Sequence, residues 1–407
     1  MRRVVVTGMA GFSPIGSDWR TIEHNLRIGK TGIRNMAEWE KYGELNTRLG
    51  APILDFDRPA HYSRKKIRSM GRVAMMSTRA TELALEQAGL LDDPSIRDGR
   101  MGVSCGSSIG STEAVADFGN MLLNHSSSNL NANSYLKMMS HTTAVNIAVF
   151  FGLKGRIIPT SSACTSGSQG IGYAYEAIKY GLQDLMIAGG AEELCATEAA
   201  VFDTLYATST RNDEPHLSPR PFDRDRDGLV IGEGACSLVL EELEHARARG
   251  ATICAEIIGF GTNADGSHIT QPEPTTMQVA MELALQCASI PASEIGYVSA
   301  HGTATDRGDI AESHATNQVF GSNVPISAFK SFTGHTLGAC GALEAMVAIE
   351  MMNRGWFHGT ANLDNPDPNC ADLHYLTGSG LELSTGCVMS NNFAFGGINT
   401  SLIFRRI

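Results

Sequence analysis

Short apolar runs alternate along this chain with stretches of helical spacing. Arg3–Thr7, Arg100–Cys105, Leu185–Ala188, Leu238–Glu241, Ala255–Gly261, Gly296–Ala300, Val324–Ala328 and Cys387–Asn391 read as strands. Ala74–Ala88 and Gly167–Lys179 return apolar residues every three or four positions, the period of a helix packed on one face. Strands alternating with helices predict an α/β fold with largely parallel, buried sheets. The turn-rich stretch Asn212–Asp227 is too polar for a core and reads as a surface loop near the site.

Two segments resemble each other. Cys164-Thr165-Ser166-Gly167-Ser168-Gln169-Gly170 and His335-Thr336-Leu337-Gly338-Ala339-Cys340-Gly341 share X-Thr-x-Gly-x-x-Gly, and each runs into a helical pattern carrying an acid, Glu176 or Glu344. This predicts two related halves, 1–250 and 251–407, with Cys164 and His335 at equivalent helix starts.

Composition narrows the class. At roughly 150 residues per domain, 407 residues make two or three core units, enough to bury a core without disulfides or metal. Glycine is high, 43 of 407 against a usual ~7%, without a collagen period. The net charge of −11 disfavours a nucleic-acid coat. Met1-Arg2-Arg3 followed by only three apolar residues reads as a first strand and not as a signal peptide, and no run approaches the ~18 apolar residues of a membrane span. Nine cysteines without a Cys-x-x-Cys fit a reducing, cytoplasmic location.

Three residues stand out chemically. Cys164 lies among small residues, Thr160-Ser161-Ser162-Ala163-Cys164-Thr165-Ser166-Gly167, as in a sharp strand-to-helix turn. There the helix dipole would favour a thiolate. His301 follows a strand in Ala300-His301-Gly302-Thr303, and His335 lies in Thr333-Gly334-His335-Thr336. Imidazoles in such places donate to a developing oxyanion or move protons. The 34 residues between them, with no Cys-x-x-Cys or His-x₃-His nearby, do not suit zinc, and no metal is expected. Lys330 lies five residues before His335. Glu312 follows His301 on a helix and is placed to pair with it. Phe393-Ala394-Phe395-Gly396-Gly397 offers backbone N–H groups that no side chain blocks. Phosphate-loop and dinucleotide motifs are missing, which disfavours nucleotide cofactors.

Together these segments resemble the β-ketoacyl-acyl-carrier-protein synthases of type I/II, condensing enzymes of the thiolase superfamily. The resemblance runs from Arg3–Gly8 through Ser161–Ser166, Ala188–Leu194, Pro221–Asp223, Arg226–Gly228, Ala300–Thr305 and Lys330–Gly341 to Phe393–Asn399. It implies a duplicated five-layered α/β/α/β/α thiolase fold, normally a homodimer; a heterodimer with a related synthase-like subunit is the alternative. It implies that Cys164 accepts the acyl group and that His301 and His335 serve decarboxylation. Lys330 matches the family's lysine, and Glu312 the acid that pairs with it. Cys164 and Phe395 match the oxyanion hole, Thr303 and Thr305 the pantetheine site, Phe393 a gate and Phe202 the acyl tunnel. The implied partner is an acyl carrier protein, whose phosphopantetheine carries the substrates, so no further cofactor is expected and neither nucleic acid nor membrane is a partner.

The implied reaction is decarboxylative Claisen condensation of an acyl-Cys164 thioester with malonyl-acyl carrier protein, in fatty acid elongation. An alternative is the ketosynthase of a type II polyketide (aryl polyene) line, which Thr160–Tyr175 and Arg211–Arg226 resemble. A non-catalytic scaffold is a weaker third reading, since such partners lack the nucleophile. A thiolase would need a second cysteine in Phe393–Asn399, and a synthase III an asparagine at His335. Ala394 and Ile398 depart from the family's common Gly and Thr, and Arg307 from an apolar residue, which leaves the chain-length range open.

The charge is unevenly spread. Residues 58–81 hold Arg58, Arg64, Lys65, Lys66, Arg68, Arg72 and Arg79 and no acid. Arg64, Lys65 and Arg68 are read as a docking patch for the acidic carrier protein.

Overall fold

β1 (Val4–Phe12) is the strand at which the two halves of the chain meet. The computed structural model describes residues 1–407. The first half adds β2 (Met101–Gly106), β3 (Ile157–Pro159), β4 (Leu185–Glu192) and β5 (Gly234–Glu242). The second supplies β6 (Ala255–Ala264), β7 (Tyr297–Ser299), β8 (Pro325–Ser327), β9 (Cys387–Ala394) and β10 (Ile398–Arg405). The sheet order is β3-β2-β4-β5-β1-β6-β10-β9-β7-β8, closed by a two-residue strand at His374–Tyr375. Each five-strand unit has the same internal order, and the units join where Val4–Val6 pair antiparallel with Ala255–Ile257.

Half of the pairings are antiparallel, which corrects the expectation of largely parallel sheets. In each unit the second strand pairs parallel with the third and the fourth. The fifth strand inserts antiparallel between the first and the fourth. β9 and β10 form a hairpin around Phe395–Gly397, with Gly396 and Gly397 at φ 88° and 69°.

Helices cover and separate the sheet halves. α1 (Arg72–Gln87) packs on β1 and β5, and α4 (Thr142–Phe151) on β2. α7 (Pro274–Ala288) packs on β6 and β10, and against α8 (Asp306–Phe320). α5 (Ser166–Lys179) and α9 (Cys340–Arg354) lie between the two sheet halves, giving five layers. From Cys340 to Ile349 every residue of α9 is buried, as a central helix requires. The two inner helices touch backbone to backbone. A Cβ at Gly167 would lie 2.9 Å from Ala342 N, and one at Gly341 2.7 Å from Ser168 N. α2 (Thr112–Asn124) and α3 (Ala132–Met138) stand away from the core and expose Leu122, Leu123 and Tyr135. No helix is long and apolar enough to cross a membrane.

The structure also moves the register of the repeat. Ala163 and Leu337 share a left-handed backbone, φ 50° and 43°, each ahead of a helix that starts three residues later, at Ser166 and Cys340. Cys164 is therefore equivalent to Gly338 and not to His335. The shared glycines of the motif misled because Gly167 and Gly341, not Gly167 and Gly338, are the true pair.

One buried histidine makes stability depend on pH. His358 lies between the rings of Phe329 and Phe332, 5.8 and 5.6 Å away, and its Nδ1–H donates to the Gly359 carbonyl at 2.9 Å. Burial pushes its pKa down to about 4. Unfolded histidine binds a proton near pH 6.5, so this stability is intact above that pH and is lost as pH falls towards 4. The expected cost between pH 7 and pH 5 is about 2 kcal/mol from this residue. Urea midpoints should fall over that interval, and fall less in His358→Gln; an equal fall in both would contradict the assignment.

Candidate active site

Small residues and hydroxyls shape the turn that carries Cys164. After β3 the chain turns through Ala163, in a conformation that costs an alanine about 1 kcal/mol. Ser166 Oγ accepts the Ser162 N–H at 3.0 Å and donates to the Ala163 carbonyl at 2.7 Å, while Thr165 Oγ1 donates to the Ser162 carbonyl at 2.8 Å. Cys340 Sγ donates to the Cys164 carbonyl at 3.2 Å. Cys164 thus stands at the start of α5, 4% exposed.

His335 reaches it from the other half. Its backbone is clamped to Val230 and Gly232, and its Nε2 lies 2.9 Å from Cys164 Sγ. Nδ1 accepts the Leu337 N–H at 3.2 Å, so the proton sits on Nε2 and points at the sulfur. His301 is held in the same way. Lys330 Nζ donates to its Nδ1 at 3.1 Å and to its carbonyl at 2.7 Å, which leaves the proton on Nε2. The two rings stand 5.3 Å apart. Burial and the Lys330 charge hold both imidazoles neutral, well below the usual histidine pKa.

The acid paired with Lys330 is Glu344, not Glu312. Nζ lies 2.5 Å from Glu344 Oε1, whose other oxygen accepts Asn392 Nδ2 at 2.6 Å. Glu312 accepts the N–H groups of His301 and Gly302, both at 2.7 Å, and so fixes the loop after β7. Its pairing with His301 is thus to backbone and not to the ring. The resemblance points to Glu312, but Glu344, on the inner helix α9, is the carboxylate that reaches the ammonium.

Cys164 also departs from expectation. Burial pushes its pKa up to about 11, against the opposing pull of Lys330 and of the Phe395 and Cys164 N–H groups. The resting group is a thiol and not a thiolate, because the desolvation of this closed site outweighs the helix terminus. Those two N–H groups both point at the Cys164 sulfur.

Cys164, His301 and His335 line one cavity of about 510 Å³ together with Phe202, Phe393 and Phe395. Phe202, on α6 (Ala196–Asp203), packs 5.1 Å from Phe395, and Phe393 lies 6.1 Å from His301. Thr303 and Thr305 line it too, their hydroxyls 2.9 Å apart. The Phe395 turn is tied to the opposite wall: Gly396 N–H donates to Ile269 O and Asp265 N–H to Gly397 O, both at 2.8 Å.

Cys164, His301 and His335 place ligand atoms within 4.8 Å of one another, as do His301, Cys340 and Glu344. Both histidines present Nδ1 to fixed donors. A metal on Nε2 of either histidine would demand Nδ1–H against the Leu337 N–H or the Lys330 ammonium, so the arrangement opposes coordination through those two atoms.

Two sequence readings change. The stretch Asn212–Asp227 is not all surface: Arg220 and Asp223 are buried, and Arg226 donates to Asp367 at 2.6 Å and to the Thr305 and Asp306 carbonyls. Its charges satisfy each other inside and lock this loop to the Thr305 segment. The basic run also divides. Arg72 pairs with Glu233 and Arg79 with Glu82, whereas Arg64, Lys65 and Arg68 are exposed on a short turn of helix away from the cavity.

Residues 1–246 match the family model "Beta-ketoacyl synthase, N-terminal domain" and residues 254–364 "Beta-ketoacyl synthase, C-terminal domain". The chain is 38% identical to a 3-oxoacyl-[acyl-carrier-protein] synthase 2 of Vibrio cholerae, covering 100% of this chain and 99% of that protein. Among solved structures, a beta-ketoacyl synthase from Burkholderia phymatum is 61% identical with a TM-score of 0.99, each chain fully covered. A type II polyketide acyl carrier protein in complex with its ketosynthase bound to the hexaketide is 31% identical with a TM-score of 0.87, again fully covered on both sides.

Proposed function

The chain belongs to the beta-ketoacyl synthase family, and we propose on that premise that it elongates acyl chains by decarboxylative Claisen condensation on an acyl carrier protein. The observation that carries this reading is the pair of neutral imidazoles, each with its Nε2 proton fixed, beside a buried cysteine.

The first stage is acyl transfer. Cys164 Sγ attacks the thioester carbonyl of acyl-carrier protein, and the oxyanion meets the Phe395 and Cys164 N–H groups. The carrier's thiolate leaves and takes the thiol proton. In the second stage malonyl-carrier protein enters, and Nε2–H of His301 and His335 donate to its thioester oxygen. The bond to the carboxylate breaks, carbon dioxide leaves and its electron pair becomes the enolate that the two donors stabilise. The enolate carbon attacks the acyl-Cys164 carbonyl, the sulfur is expelled and takes a proton from water, and 3-oxoacyl-carrier protein departs. Thr303 and Thr305 hold the pantetheine arm in the cavity, with Phe393 as gate and Phe202 against the acyl chain; no other cofactor takes part. The test is direct: with acyl- and malonyl-carrier protein the product should carry two more carbons and a 3-oxo group by mass spectrometry, with one carbon dioxide released. No such product would overturn the reading.

Fatty acid elongation is the main setting, as the name of the Vibrio cholerae relative suggests. A type II polyketide line is the second, favoured by the likeness to the hexaketide-bound ketosynthase. Nine unbonded cysteines suit the cytoplasm. The exposed apolar residues of α2, α3 and α4 beside the open edge strand β3 fit a second copy of the chain.

The carrier protein docks on Arg64, Lys65 and Arg68. Lys65→Glu with Arg68→Glu should raise the KM for carrier-bound malonate about tenfold at low salt and change kcat little. An unchanged KM would place docking elsewhere.

A further inference from the structure

Alternate residues of one segment mark the way from the reacting centre to water. His301, Thr303, Thr305 and Arg307 all line the cavity that holds Cys164. His301 is buried, the two threonines are half-buried, and Arg307, the second residue of α8, is exposed. Arg307 therefore stands where the cavity opens. Tyr206 and Ile269, both largely exposed, line the same cavity.

The other charged side chains of this cavity are already engaged. Arg226 donates to Asp367 at 2.6 Å. Asp227 accepts the Thr210 N–H at 3.1 Å, Asp265 accepts Asn399 Nδ2 at 2.7 Å, and Glu312 holds the His301 N–H. Arg307 alone has neither an ion pair nor a hydrogen bond, since its neighbour Asp306 turns to Arg226 at 3.3 Å. Its own helix offers no partner either: the residues three and four positions on are Ile310 and Ala311. His268 adds a second free donor to the lining, because its Nδ1 accepts the Thr270 N–H at 3.1 Å and leaves the proton on Nε2. A free arginine on an open surface is ordinary. One that lines the way to a nucleophile meets whatever enters.

We propose that Arg307 is a substrate-binding residue whose guanidinium takes the phosphodiester of the phosphopantetheine arm while the thioester reaches Cys164. This rests on the condensing reading above. The arm is neutral along its amides and carries its one charge at the phosphate, the end opposite the thioester. With the thioester at Cys164 and the amides beside Thr303 and Thr305, the phosphate comes to the mouth. A guanidinium matches phosphate oxygens fork to fork and binds them more strongly than a neutral donor does. The apolar residue common at this position in the family cannot do so, which makes the contact a property of this chain.

The test acylates Cys164 in the whole protein with three thioesters of one acyl group. Acyl-pantetheine lacks the phosphate, its phosphate methyl ester restores the single charge of the diester, and acyl-carrier protein is the natural form. Acylation is timed at low salt by the mass of the intact protein. The parent should use the phosphodiester about tenfold faster than acyl-pantetheine in second-order rate. Arg307→Met should bring that ratio near one, and Arg307→Lys, a point charge without the fork, should restore it in part. A parental ratio near one overturns the role, as does an unchanged ratio in Arg307→Met. So does a loss with acyl-carrier protein that the free phosphodiester does not share, which would give Arg307 a carboxylate of the carrier protein instead. Absence of acylation by all three would instead sink the condensing reading itself.

Discussion

Cys164→Ala should abolish condensation, a loss on the order of 10⁴-fold or more, and leave the fold intact. The sulfur is the atom that bonds to the acyl group, and no neighbour replaces it: Cys340 Sγ is turned to the Cys164 carbonyl. Nucleophiles acting in a unit with their partners commonly cost about 10⁴–10⁶ when removed. The substitution deletes one buried atom and neither breaks the Ser162–Ser166 clamps nor charges the core. The His335 donor, set by Leu337, and the His301 donor, set by Lys330, both remain. Malonyl-carrier protein should therefore still lose carbon dioxide while 3-oxoacyl product disappears. Acylation is read by the mass of the intact protein, decarboxylation by labelled carbon dioxide. Persistent elongation in this variant would remove Cys164 from the mechanism.

How much of this was legible in the residues differs from part to part. Cys164, His301 and His335 each sit among small residues and glycines beside a strand, a local pattern that marks sharp turns at strand ends. Their meeting 171 residues apart, as for Cys164 and His335, is tertiary and rested on resemblance. β10 went unread because Asn399, Thr400 and Ser401 are polar yet buried, held by side-chain bonds to Asn263, Ser168 and Asn391. An apolar-run criterion cannot find such a strand. The antiparallel insertion of β5 and β10 is likewise invisible to alternation alone, since either direction buries the same residues. Glu344 and Glu312 both lay on helices near the right loops. Only the packing of α9 against β9 decides which carboxylate reaches the ammonium.

That choice sets the second large effect. Lys330 touches no substrate atom and acts through His301: its three N–H bonds go to His301 Nδ1, the His301 carbonyl and Glu344. In Lys330→Met the imidazole loses the donor that holds its proton on Nε2, and Glu344, 1% exposed, loses its counter-ion. Breaking such a buried pair costs roughly 3–5 kcal/mol, so low activity alone would be ambiguous. Lys330→Met with Glu344→Gln removes both charges together and should recover most of that stability. Decarboxylation should stay about 10²–10³-fold slow even so, the usual cost of one misdirected donor. The sign of the pH effect separates the roles further. The Lys330 charge presses the His301 pKa down, so its removal lets that pKa rise. As a positively charged imidazole beside His335 becomes reachable, the acid limb of the double variant's decarboxylation profile should move to higher pH than that of the parent. Cys164 acylation, which uses the Phe395 and Cys164 N–H groups, should fall much less. A stable double variant with parental decarboxylation and an unmoved acid limb would show that His301 holds its tautomer without Lys330.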